Sequence, residues 1–243
     1  MNQAATENEF VVKPFDARFV MRIFAVLAML ALLSGAILVA GKLYGRLIAM
    51  GGHTDDAALH EFVVGNNVLA IPANMMRLEE QRQGGEFNKL ELYMSWPEMR
   101  GYSRDRAADF NHEGGSRNLI FMTFEPSIMS RDMSGRVAPI YQAVIAKPGI
   151  AGPAGTTMFG FTERSGYLDE LLVTAPRAAD TPYAARCLAG AEGARSLAPC
   201  ERDIHVGDNL SLTYRFPKEL LGQWQRLDAA VLAAATGFLR TAE

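Results

Sequence analysis

Residues 22–42 read RIFAVLAMLALLSGAILVAGK, and no charge interrupts them between Arg22 and Lys42. At about 1.5 Å of rise per residue, a helix over this stretch reaches roughly 28 Å, close to the hydrocarbon thickness of a bilayer. Beyond Ser34 no face of that helix carries a polar side chain, which argues against a buried helix of a soluble domain. A cleaved signal peptide has a shorter apolar region, roughly 7 to 15 residues, closed by small residues in an A-x-A arrangement. The run here is longer, and Val39-Ala40-Gly41 fits that cleavage pattern only in part. The segment therefore reads as a retained anchor, with removal after export as the alternative.

Lys and Arg near a span tend to stay cytoplasmic. Lys13, Arg18 and Arg22 precede this one, and Lys42 and Arg46 follow it, a slight bias toward an N-terminus inside. The arm before the span is too short for a domain of its own, whereas about 190 residues follow, enough to build a core. The expected layout is a cytoplasmic tail at 1–19, a spanning helix at 20–41 in contact with lipid, a linker at 42–58 jointed at Gly51-Gly52, and a domain at 59–243. The Ala, Gly and Arg usage points to a bacterial chain, which puts the helix in the inner membrane and the domain in the periplasm.

In an oxidising compartment Cys187 and Cys200, the two cysteines of the chain, are expected to form a bridge. Closing a loop of this length is worth about 3 kcal/mol in the chain-entropy view. A metal site is not expected: there is no CxxC or HExxH, and His53, His60, His112 and His205 are scattered. A net charge of −3 argues against a nucleic-acid footprint, which needs a basic stripe. No cofactor signature is present either.

The domain reads as α+β. KLELYMSW (89–96) alternates as a half-buried strand, and NLIFMTF (118–124) is apolar on both faces, as in a strand covered twice. MFGFT (158–162), ELLVT (170–174) and YAARCLA (183–189) are shorter strand candidates. RVAPIYQAVIA (136–146) fits strand or helix, with Pro139 against a central strand. FVVGNNVLAIP (62–72) and IHVGDNLSLTYRF (204–216) each set V-G-[N/D]-N between β-type runs, the turn chemistry of two hairpins. A duplication or a pair of ligand loops is the sharper reading of that repeat. The chain closes with an amphipathic helix over 217–241, its apolar stripe formed by Leu220, Leu221, Trp224, Leu227, Val231, Ala234 and Phe238. A mainly antiparallel sheet with this helix packed on it, behind one transmembrane helix, is the expected architecture.

Catalytic motifs are absent: no GxSxG, SxxK, GxxxxGK[ST] or GxGxxG occurs. Asp203 and His205 lie two apart on an expected strand, so they share a face, where a carboxylate beside an imidazole orients a general base. With no nucleophile identifiable, the simpler reading has both facing water while Ile204 and Val206 point inward. In SRDMSGR (130–136), Arg131 and Arg136 offer guanidinium forks to a carboxylate or phosphate, while a surface loop with local ion pairs through Asp132 is the simpler reading. SWPEMRGYSR (95–104) gathers Trp96, Met99, Arg100 and Tyr102, residue types enriched at interface hot spots, although Trp96 equally fits the core with Tyr102 as its cover. The NLS at 209–211 matches a glycosylation sequon, relevant only in a eukaryotic secretory route.

These observations lead to an anchored envelope protein whose domain binds a membrane or envelope protein as an accessory or assembly subunit. An anchored ligand-binding or sensing domain and an anchored hydrolase are the alternatives.

Overall fold

Leu90, Leu92 and Met94 alternate with Glu91 and Tyr93, and the chain folds that alternation into an edge strand of a large sheet. The computed structural model describes residues 17–49, 52–178 and 181–240, with the backbone alone for 42–49. The expected tail lies outside the described residues up to position 16, as do Met50 and Gly51 of the expected linker. The chain divides into two compact units between Ala49 and Met50.

The first unit is one helix, Ala17–Ala49. Its stretch Ala17–Gly41 is 25 residues long and apolar enough to cross a bilayer, and none of it is buried in protein. Length and composition suit a membrane anchor and a signal sequence alike. The helix continues through Ala49, into the stretch expected as linker.

The second unit is α+β. Its strands are β1 (Leu59–Val64), β2 (Asn67–Pro72), β3 (Gly85–Glu86), β4 (Leu90–Ser95), β5 (Leu119–Pro126), β6 (Ile150–Ala151), β7 (Thr157–Gly160), β8 (Glu170–Ala175), β9 (Tyr183–Leu188), β10 (Cys200–Val206) and β11 (Leu210–Phe216). A three-stranded sheet has the order β2-β1-β3, and an eight-stranded sheet the order β4-β5-β11-β10-β9-β8-β7-β6. Every pairing in the large sheet is antiparallel. Both expected hairpins form, as β1–β2 and β10–β11.

The main core lies on the inner face of the large sheet, under the small sheet and the C-terminal helix. Leu90, Leu92 and Met94 of β4, Ile120, Met122 and Phe124 of β5, and Leu210, Leu212, Tyr214 and Phe216 of β11 meet Phe62, Leu69 and Ile71 of the small sheet there. Pro217 leads into a tight turn, Lys218–Gln223, and the regular helix starts at Trp224 and ends at Phe238. Trp224, Leu227, Val231 and Ala235 face the core, so the buried stripe runs through Ala235 where the sequence pattern names Ala234. Full burial of a side chain such as Leu227 is worth about 1.5–3 kcal/mol. Segment 136–146 resolves as helical over Val137–Val144, with Ile145 extended and bridged to Phe161: the amides of Ile140 and Tyr141 both donate to the Arg136 carbonyl, a wide turn that needs no donor from Pro139.

β9 and β10 share only two register pairs, Cys187↔Cys200 and Arg186↔Glu201. The disulfide joins the first pair, with Cα atoms 4.0 Å apart. Beyond it the strands part and Arg202 fills the opening. Its Nη1 donates to the Ala184 carbonyl and to Ser134 Oγ, each at 2.8 Å, its Nε donates to Asp228 Oδ1 at 2.9 Å, and its guanidinium lies over the Tyr183 ring. Tyr214 OH donates to the same Asp228 oxygen at 2.8 Å, so the buried charges are paired and hydrogen-bonded. Burial, reinforced by Asp228, pushes the Tyr214 phenol well above its ordinary range.

The turns of the two hairpins clasp each other. Asn67 Nδ2 donates to the Asp208 carbonyl at 2.7 Å, and Asn67 Oδ1 accepts from the Asp208 amide at 2.8 Å. Gly207 sits at φ +55°, and a Cβ there would lie 2.3 Å from Asn67 Oδ1, so both the turn and the approach require glycine. The first hairpin is closed by the end of the chain: Leu69 pairs with Leu239, and the Arg240 amide donates to the Val68 carbonyl.

Candidate functional site

Strand alternation puts Thr123 and Glu125 of β5, Ser211, Thr213 and Arg215 of β11, and Glu201, Asp203 and His205 of β10 on the outer face of the large sheet. Two lobes cover the ends of that face. At one end Tyr102 and Phe110 pack on Tyr93 and Leu119, with the His53 ring stacked on Tyr102 at 4.8 Å. At the other, Met133, Val137 and Tyr141 pack on Leu172 and Ala184. Between them the face is open and polar.

Asp203 and His205 share this face, as expected, but take different partners. The Asp203 carboxylate accepts from Arg136 and from the Met133 amide, the latter at 3.1 Å. Burial pushes its carboxyl up and Arg136 opposes the shift. Asp203 therefore does not simply face water, because the 130–136 segment folds over it. His205 is exposed, and its Nε2 lies 3.1 Å from Ser127 Oγ, which also donates to the Met129 carbonyl at 2.9 Å. These groups border a surface hollow of about 480 Å³ with Asp208 and Asn209, beside Ile128 at 95% exposure. Ser127 is a hydroxyl that pattern reading did not identify. No hydrogen bond joins Asp203 to His205 among the described residues, so the imidazole lacks the carboxylate that would orient it as a general base. No group of three or more potential metal ligands occurs among the described residues.

Of the residues named for recognition, Arg136 is held by Asp203 and Arg131 is exposed nearby. In the 95–104 stretch both aromatics are interior. Trp96 is 8% exposed and packs in the main core, its ring covered by the Arg226 guanidinium at 5.3 Å. Tyr102 is 1% exposed, and its backbone exchanges two hydrogen bonds with Asn74. Met99 is half-buried against the core, and Arg100 alone stands exposed. Of the two readings of this stretch the aromatics follow the core one: the chain turns back at Trp96 and Ser95 takes the Arg100 carbonyl as partner.

A groove of about 410 Å³ lies on the open face, lined by Arg77, Lys89, Glu91, Phe121, Thr123, Arg195 to Ala198, and Arg215. Lys89 Nζ and Arg77 Nη1 hold the two Glu91 oxygens at 2.9 and 3.1 Å. The hydrogen bond from Lys89, with the charges of Lys89 and Arg77, keeps Glu91 below the usual carboxylate range. Arg215 was legible as an outward residue of β11, but its neighbours come from segments far apart in sequence.

No protein-family model matches the chain, and no curated protein matches it. Among solved structures, an immunity protein of the Stenotrophomonas maltophilia type IV secretion system superposes with a TM-score of 0.54 at 16% identity, over 78% of this chain and 96% of that one. The two share a fold. An iron-regulated outer membrane lipoprotein of Neisseria meningitidis aligns over 76% of this chain and 98% of its own, at 10% identity and a TM-score of 0.40.

Proposed function

We propose that this chain is a single-pass envelope protein, anchored in the inner membrane by residues 20–41, whose periplasmic domain binds another protein as an accessory or assembly subunit. The observation that carries this reading is the open outer face of the large sheet, polar and grooved, between two lobes that cover its ends. The fold shared with a secretion-system immunity protein supports it. The hydrolase alternative loses its support where Asp203 turns to Arg136.

The test is crosslinking in intact cells, followed by mild-detergent purification of the full chain and mass spectrometry. A stoichiometric envelope protein is the expected companion. A chain that purifies alone overturns the reading.

A further inference from the structure

The groove on the open sheet face concentrates positive charge in a chain whose net charge is −3. Four of its lining residues are cationic, Arg77, Lys89, Arg195 and Arg215, against the single carboxylate of Glu91. Glu91 is shared between Lys89 and Arg77, and Arg195 pairs with Glu192 outside the groove. Glu201 stands opposite Arg215 on β10 but gives its carboxylate to Arg186. Arg215 is exposed and has no hydrogen-bond or ion-pair partner among the described residues.

Apolar surface accompanies this charge. Phe121 sits beside Arg215 in the β5–β11 register, with the Arg77 guanidinium 5.6 Å from its ring centroid. Leu197 stands 36% exposed on the facing wall. An unpaired guanidinium next to an aromatic floor binds a planar carboxylate bidentately while the floor receives an apolar side chain.

We propose that this groove is the contact point for the protein partner and that it receives an acidic segment, with a carboxylate on Arg215 and an apolar residue against Phe121 and Leu197. The proposal rests on the partner-binding reading above and names the partner's chemistry. A protein segment fits better than an anionic lipid layer: a single side chain enters a hollow of about 410 Å³ and reaches Phe121 on its lining, which a flat layer of headgroups does not.

The experiment uses the full chain in intact cells, with a photo-crosslinking amino acid at Thr123 or Leu197 in the groove, and at Leu168, which is exposed outside it. The expected result is one protein adduct from both groove positions, mapped by mass spectrometry to a segment bearing Asp or Glu beside an apolar residue. Arg215→Glu then lowers the Leu197 adduct by about tenfold, the loss of roughly one charge-assisted contact. Arg215→Lys keeps most of it, and equal melting temperatures for the two variants show that charge, not folding, is read. A partner captured at Leu168 but not in the groove overturns this inference and leaves the partner-binding reading standing, as does a mapped segment without carboxylates or an adduct indifferent to Arg215→Glu. Lipid adducts from the groove also overturn it. No protein adduct from any position overturns both.

Discussion

Asn67 and Asp208, 141 positions apart, exchange two hydrogen bonds: the Asn67 side-chain amide donates to the Asp208 carbonyl and accepts from the Asp208 amide. The contact is with the Asp208 backbone, since its carboxylate serves Asn66 and Asn209 at the surface. Asn67→Ala therefore costs about 1–2 kcal/mol by removing the two part-buried hydrogen bonds that join the turns, while Asp208→Ala stays within about 0.5 kcal/mol. Urea midpoints of the two variants check this, and equal losses refute it. Gly207→Ala costs less in the Asn67→Ala background than in the parent, because the atom it strikes is gone.

Arg202 is a charge inside the core, satisfied by Asp228, Ser134 and the Ala184 carbonyl. Arg202→Met takes from Asp228 its closest cation, leaving it the Tyr214 hydroxyl and Arg177 at 3.6 Å, and loses about 3–5 kcal/mol, of which the double variant Arg202→Met/Asp228→Leu recovers a part. A double variant as unstable as the sum of the singles contradicts this account of the seam.

Trp96→Ala separates core from contact surface. With Trp96 in the main core, the substitution costs about 3–5 kcal/mol. Arg226→Ala, which removes only the cation over the ring, costs about 0.5–1 kcal/mol. A Trp96→Ala domain that melts like the parent contradicts the placement.

His53 introduces pH dependence. Burial, with the nearby charges of Arg82 and His112, holds its imidazole below the ordinary value, against a hydrogen bond with Asn111. A histidine with a depressed folded-state pKa gains a proton on unfolding. The stability it lends is present above about pH 6.5 and is lost as the pH falls through the folded-state value. His53→Phe keeps an aromatic ring against Tyr102 and removes the titration, so thermal melts from pH 7.5 to pH 5 fall less steeply for the variant. Parallel curves exclude His53 as the source.

Period and turn chemistry carried the fold far. The two V-G-[N/D]-N turns, the alternation of β4 and the terminal helix all follow from local pattern, which the backbone enforces wherever one face is buried. What escaped is what depends on a distant covering element. Tyr93 and Glu91 share a face of β4, yet Tyr93 is buried because Tyr102 and Phe110 lie over it. Trp96 has the composition of a hot spot and becomes core through a helix that begins at Trp224. Asp203 and His205 were placed correctly on one face, but their partners, Arg136 and Ser127, come from the segment that crosses above them. The groove escaped for the same reason: no local pattern joins Arg77, Phe121, Arg195 and Arg215.

The first hairpin of the domain is completed by its last residues. Phe62 and Leu69 reach full burial only alongside the terminal helix, Asn67 needs Asp208, and Val68 receives the amide of Arg240. A ribosome makes the chain in the opposite order. The earliest part of the domain to be synthesised thus waits, with its apolar side chains uncovered, until residues 224–240 exist. Truncation near the C-terminus exposes the oldest segment of the nascent domain, and the time needed to make some 170 residues is the interval in which that segment is open to aggregation or to a chaperone.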